Sequence, residues 1–388
     1  IDTTRLYTKG TSANGFGAIL MASIFPEKIA AVYDNVEPFA VSPVSDTYKQ
    51  MWGESATELK SDILDWQSGD ALTLKKITHF IKMMNVNEQR SMPPIFDVHG
   101  KNDVTVTWNA DKVEWLDSLN QNHIGGAWYW DQRDHGGSGK NFDDEEMEPN
   151  YYRFATNISY PAFSNCSINQ NPGNGNKKDG DDYGTYNGYL DFVDDNIADK
   201  TCSYLIHVFI KDFYVGGVLD VLQYLTCTTD ITFRRLQNFQ PPIGSTIKWK
   251  NFDDVTNLKI QSGSFTYNGG LITLTDLTVS KTGNRIKLRI ANCTSKLGDD
   301  DSDNDDSMVD ESVVNFSKTS AGYMAHLESA IDQSIDVSVY DLLGRTISVK
   351  RINLQQGIND FEITAPLTGI YLVEVKNQSF HYTEKLMF

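Results

Sequence analysis

Three side chains in the first 140 residues have the types and the order that acyl transfer by serine requires: Ser12, Asp103 and His135. Such chemistry needs a hydroxyl on a rigid turn, an imidazole to take its proton, and a carboxylate to hold that imidazole in the right tautomer. Ser12 lies in the glycine-rich stretch 10–15 (GTSANG), where a sharp turn would expose the hydroxyl. The backbone N–H of Ala13, next in line, would then stabilise the oxyanion that develops on the attacked carbonyl. Asp131 and Asp134 rival Asp103 as the carboxylate. His99 sits inside an apolar run and reads as a packing or supporting residue, while His79 and His123 read as surface residues.

These groups need elements that bring them to one edge. Residues 5–8 (RLYT) read as a short buried strand and 16–25 as a helix with Ile19, Leu20, Ser23 and Ile24 on its apolar face. Strand, tight turn and helix is the context of a nucleophile elbow. Residues 29–33 (IAAVY) form a continuous apolar run of the kind found in interior parallel strands. The stretch 92–100 (MPPIFDVHG) predicts another strand, followed by Asp103 in a loop, and 109–120 predicts a helix. The strand expected at 127–130 (AWYW) ends on the loop that holds His135, 32 residues after Asp103. Each of the three residues therefore follows a different strand, at the end where sites in open parallel sheets form. Residues 46–90 read as mostly helical, a cap over the sheet. Trp52, Trp108 and Trp130 read as core or cap packing.

On these motifs (residues 10–15, 99–103 and 134–136) the stretch 1–140 resembles the C-terminal half of a secreted α/β-hydrolase of the esterase type. One departure stands out, because the usual G-x-S-x-G would put glycine at 14, where this chain has Asn14 followed by Gly15. The elbow begins a few residues from Ile1, whereas the serine of such enzymes follows several strands. The resemblance thus implies a missing N-terminal portion holding any signal sequence and the second oxyanion donor. Residues 1–388 alone are then expected to be inactive.

The expected fold class is α/β, a partial α/β-hydrolase sheet with helices, followed by an all-β sandwich and a small C-terminal β-sandwich. The expected domains are 1–149 (catalytic), 150–297 (β-sandwich accessory domain), 298–314 (acidic linker) and 315–388. The texture changes near 150, where 164–188 is rich in Asn, Gly, Asp and Pro. Short β-rich runs follow to 293, and Asn268-Gly269-Gly270 has the look of a hairpin turn. A stabilising or carbohydrate-binding role is the expectation for this module.

The chain has 388 residues and a formal net charge of −18, of which residues 299–311 (DDDSDNDDSMVDE) supply eight negative charges. Such a balance argues against nucleic acid and anionic membrane surfaces as partners. No apolar run is long enough to span a membrane. Asp301, Asp303 and Asp305 alternate as in a calcium loop, but Asp306 stands where the sharp turn wants glycine and no glutamate closes the motif. Otherwise the run reads as a solvated linker, and no cofactor is expected. Cys166, Cys202, Cys227 and Cys293 form no CxxC or Cys/His pattern, so zinc is not expected. They leave open one or two disulfides, or buried free thiols.

The tail carries a second resemblance. Residues 339–345 (VYDLLGR), 369–373 (GIYLV) and Lys385-Leu386 are similar to the C-terminal sorting domain of type IX secretion substrates. This implies export by the type IX machinery to the medium or surface of a Bacteroidetes-like Gram-negative bacterium. The function expected from both resemblances is a secreted serine hydrolase acting on carboxylic esters, acyl groups on polysaccharides among them. A serine peptidase of the prolyl-oligopeptidase type and an inactive cell-surface binding protein are the alternatives.

Overall fold

The computed structural model describes residues 1–38, 59–143, 151–220, 224–293, 315–319, 322–329, 332–341, 344–376 and 381–388. Two compact units divide the chain, Ile1–Thr294 and Ser295–Phe388. The acidic run with Asp301, Asp303 and Asp305, together with Trp52, lies outside the described residues.

The first unit begins with a sheet that carries the sequence motifs. Strands β1 (Tyr7–Thr11), β2 (Ala31–Asn35), β5 (Ile95–Gly100) and β6 (Gly126–Asp131) run parallel in that order. Between β2 and β5 come a short hairpin, β3 (Lys60–Leu64) and β4 (Ala71–Thr73), and helices α2 (Leu74–Ile77) and α3 (Phe80–Asn87). The expected helical cap is thus a hairpin over its first described part. Helices α1 (Ala13–Ile24) and α4 (Ala110–Gln121) complete the crossovers. Both have a buried stripe at helical spacing: Phe16, Ile19, Ala22 and Ser23 on α1, and Lys112, Trp115, Leu116 and Leu119 on α4.

Among the described residues, twelve further strands follow in this unit. These are β7 (Tyr160–Ser164), β8 (Gly184–Tyr186), β9 (Leu190–Phe192), β10 (Ala198–Asp199), β11 (Ser203–Ile210), β12 (Tyr214–Val215), β13 (Val218–Leu219), β14 (Thr226–Arg234), β15 (Thr246–Asp253), β16 (Lys259–Thr266), β17 (Ile272–Ser280) and β18 (Asn284–Ile290). One sheet has the order β10-β11-β18-β15-β16, with β9 also on β11, and a second has the order β17-β14-β7. Strict alternation of buried and half-buried residues along β11 and β18 marks strands with one face on a core. The turn at 268–270 joins β16 to β17, which belong to different sheets, so it crosses between layers and is no hairpin.

The expected α/β class is corrected by this arrangement. Among the described residues 44% are strand and 12% helix, and the chain is predominantly β. The physical reason lies in what covers the first sheet. Its strands alternate: Val32, Ile95, Trp128 and Trp130 pack with the helices. Ala31, Tyr33, Phe96, Val98, Ala127 and Tyr129 instead join one core with Tyr204, Ile206, Phe233, Ile286 and other sandwich residues. A β layer therefore occupies the face that helices cover in an open parallel sheet. β8 also pairs antiparallel with β6 and ends that sheet.

The second unit is a small β-sandwich. β19 (Asn315–Lys318), β20 (Tyr323–Ser329) and β23 (Gly357–Ile363) form one sheet. β22 (Thr346–Leu354), β21 (Gln333–Tyr340), β24 (Ile370–Lys376) and β25 (His381–Met387) form the other. Leu327, Val337, Val339, Phe361, Val373 and Val375 fill the space between them.

Candidate active site

Ser12 stands between β1 and α1 with φ 56° and ψ −126°, a conformation few side-chain-bearing residues adopt. Two backbone bonds hold it there. Its N–H donates to the Asn35 carbonyl at 2.9 Å, and its own carbonyl accepts from Phe16 N–H at 3.1 Å. Ala13 heads α1, where the first N–H groups have no intrahelical acceptor and carry the positive end of the helix dipole. The turn permits no Cβ at Gly10, since one built there would lie 2.3 Å from the Asn14 carbonyl carbon.

His135 Nε2 lies 3.0 Å from Ser12 Oγ, and His135 Nδ1 lies 2.7 Å from Asp103 Oδ2. The other Asp103 oxygen accepts the N–H groups of Thr105 and Val106, each at 2.8 Å. Asp103 is buried and the His135 side chain is 27% exposed, so the imidazole reaches solvent while its carboxylate does not. Nδ1–H donating to the Asp103 carboxylate leaves the Nε2 lone pair facing the serine hydroxyl. Ala13, Asn14 and Val104 around the triad are exposed, so the site opens to solvent.

The rival carboxylates have other partners. Asp131 binds buried Arg133 through both oxygens, at 2.8 and 2.9 Å, and also accepts from Asn141 and Phe142 N–H. Asp134 caps its own turn, accepting from Gly136 and Ser138 N–H at 2.9 Å. Arg133 further donates to the Phe142 carbonyl and to Asn35 Oδ1. The His135 loop and the residue that holds Ser12 are thereby tied to one guanidinium. Lys101, two residues before Asp103, is buried and donates to the carbonyls of Asp179 and Asp181 at 2.7 and 2.6 Å. The Asn/Gly-rich stretch thus braces the loop of Asp103. His79 and His123 are half-buried, not at the surface; His123 Nδ1 lies 2.7 Å from Ser164 Oγ. Trp108 and Trp130 belong to the core against the helices.

A polar network that the sequence reading did not assemble lies against the first turn of α1. Asp34, Glu37, Asp97, His99 and Lys112 are all buried. His99 Nε2 is 2.7 Å from Asp97 Oδ2 and 3.5 Å from Glu37 Oε1. Trp115 Nε1 donates to Asp97 Oδ2 at 3.0 Å, and Lys112 Nζ bonds the Glu37 carbonyl and lies 3.3 Å from His99 Nδ1. Burial holds His99 down to about 4, so its ring is neutral at neutral pH. Burial, then the charge of Asp97 and its neighbours, pushes the Asp34 and Glu37 carboxyls well above the usual range. Both carboxyls are thereby favoured in their protonated forms. Alternation along β5 put Asp97 and His99 on one face, and the i, i+3 pair Lys112 and Trp115 faces them. That signal was in the sequence.

Glu37, Asp97 and His99 bring ligand atoms within 4.8 Å of one another, a spacing compatible with a metal. The donor set does not fit one. The Lys112 ammonium donates to Nδ1, which places the ring proton on Nε2, the nitrogen that faces both carboxylates. Lys112 is itself the cation of the cluster. Entry to it is shaped by Val36, a β-branched residue with φ 49°, a conformation that costs about 1–2 kcal/mol. Its N–H is held by the Val98 carbonyl at 2.9 Å, which turns Glu37 inward beside Asn35.

Residues 319–388 match the family of secretion system C-terminal sorting domains. The protein is therefore secreted or displayed at the cell surface of a Bacteroidetes-type bacterium, and its tail addresses the type IX machinery. No helix among the described residues is long and apolar enough to cross a membrane. No curated protein matches the chain. Among solved structures it is similar to Ruminococcus gnavus β-glucuronidase, at 11% identity and a TM-score of 0.17, over 42% of this chain and 34% of that one. The complex of that enzyme with uronic isofagomine gives 12% identity, a TM-score of 0.17, and 42% and 35% coverage. The chain spans about a third of the length of those proteins. The α/β-hydrolase resemblance finds no support in these matches.

Proposed function

We propose that the protein is a secreted serine hydrolase that cleaves carboxylic esters. The observation that supports this reading is the unbroken line of Asp103 Oδ2, His135 and Ser12 Oγ at 2.7 and 3.0 Å, with the serine on a strained turn at a helix N-terminus. Ser12 attacks the ester carbonyl as His135 Nε2 takes its proton. Asp103 holds the imidazolium, and the Ala13 N–H donates to the oxyanion. The protonated His135 then returns its proton to the leaving alcohol, and water repeats the sequence on the acyl-serine. Acyl groups on polysaccharides are the substrate class proposed first, because the protein is exported and its catalytic residues share a unit with a β-sandwich.

Labelling of the exported protein with a fluorophosphonate probe tests the reading. Modification at Ser12, absent in Ser12→Ala, is expected, and no labelling at this serine leaves the inactive binding protein in its place. Comparison of acetylated xylan with a dipeptide substrate then separates ester from peptide cleavage, and faster turnover of the dipeptide would favour the peptidase.

A further inference from the structure

Cys202 and Cys293 form a disulfide across 91 residues, while Cys166 and Cys227 are both buried as thiols. The second pair sits where two antiparallel strands meet. Cys166 follows β7 and Cys227 lies in β14, and the strands are in register from Ser164 opposite Asp230. Beyond the strand end the pairing persists, with Ser167 N–H donating to the Thr228 carbonyl and Thr228 N–H to Ser167 Oγ, each at 2.9 Å. Backbone bonds thus fix both cysteines on adjacent segments. Their side chains face each other closely enough to interact. Both stand in the core that joins the sandwich to the first sheet.

We infer that Cys166 and Cys227 form a second disulfide in the exported protein. Export removes the chain from the reducing cytosol to a compartment where close thiol pairs oxidise. Paired, adjacent segments present the two cysteines to each other, the arrangement a disulfide needs. The oxidant is the disulfide of an extracytoplasmic thiol–disulfide oxidoreductase. Cys166 thiolate attacks it, forming a mixed disulfide and releasing one oxidoreductase thiolate. Cys227 thiolate then attacks the Cys166 sulfur, so that the protein gains the S–S bond and the oxidoreductase leaves as a dithiol with both electrons. The step precedes closure of β7 on β14, because both sulfurs are buried afterwards.

The bond closes a loop that includes Asp179 and Asp181, whose carbonyls hold Lys101 beside Asp103. It would therefore restrain the brace of the candidate site as well as the sandwich. Protein recovered from the medium, denatured without reductant and treated with iodoacetamide, tests the inference. No alkylated cysteine and a non-reduced peptide linking Cys166 to Cys227 are expected. Alkylation of both Cys166 and Cys227 overturns it, and so does a linkage of either one to Cys202 or Cys293.

Discussion

Gly15 and Asp34 stand so close that a Cβ on the glycine would lie 1.9 Å from Asp34 Oδ1 and 2.9 Å from Glu37 Cβ. Gly15 lies on the face of α1 that meets the buried carboxyls, and Asn14 is exposed. Gly15→Ala is expected to destabilise the protein by about 1–3 kcal/mol through overpacking. Asn14→Gly, at an exposed helical position, should lose no more than about 1 kcal/mol. Urea unfolding of the two variants checks the ranking, and an equal effect would refute the role given to Gly15.

The triad makes a kinetic prediction. Ser12→Ala and His135→Ala should each lower kcat by on the order of 10³ or more, and Asp103→Asn by about 10⁴ with little change in fold, since it presents the wrong tautomer to Ser12. Asp131→Asn and Asp134→Asn should not share the tautomer effect, because neither touches His135. Ester hydrolysis with matched circular dichroism spectra measures this.

Arg133 has a different role. Replacing it by Met leaves Asp131 buried without its cation, at a cost of about 3–5 kcal/mol. The Asp131→Asn, Arg133→Met double variant should recover part of that loss. Thermal melting of the three variants tests the coupling, and strict additivity would contradict it.

The buried network sets two opposite pH dependences. His99 titrates near 4 when folded and near 6.5 when unfolded, so unfolding takes up a proton in that window. Its contribution is present above pH 6.5 and falls away as pH drops toward 4, by about 3 kcal/mol in all. His99→Gln should flatten stability over that window relative to the parent, whatever its absolute value. The neighbours that face the ring, Asp97, Glu37 and Lys112, are unchanged in this variant.

Asp34 and Glu37 act in the other direction. Their folded carboxyls are raised by burial, so the protonated forms are favoured in the fold and unfolding releases protons above the ordinary carboxylate range. Stability from this source is complete at acid pH and declines as pH rises. Glu37→Gln, which keeps the shape without the charge, should gain in melting temperature relative to the parent as pH is raised from 5 to about 9. A gap that stays constant over that range would rule out a raised Glu37 carboxyl.

Much of the candidate site was legible along the chain. A serine in a glycine-rich turn, an aspartate after one apolar run and a histidine after another carry their order in sequence, because each element is local and each strand end is marked by glycine or polar residues. The choice among Asp103, Asp131 and Asp134 was not, since it depends on Arg133 and on turn bonds that satisfy the other two carboxylates. Nor was the fold class. A strand buried on both faces reads as the same apolar run whether helices or a second β layer cover it, so 29–33 and 127–130 could not reveal that half of their side chains face the sandwich. The chain determined which groups could do chemistry and in what order; only tertiary packing decided which of them meet, because contact across 123 residues, as between Ser12 and His135, is fixed by the sheet that carries both ends.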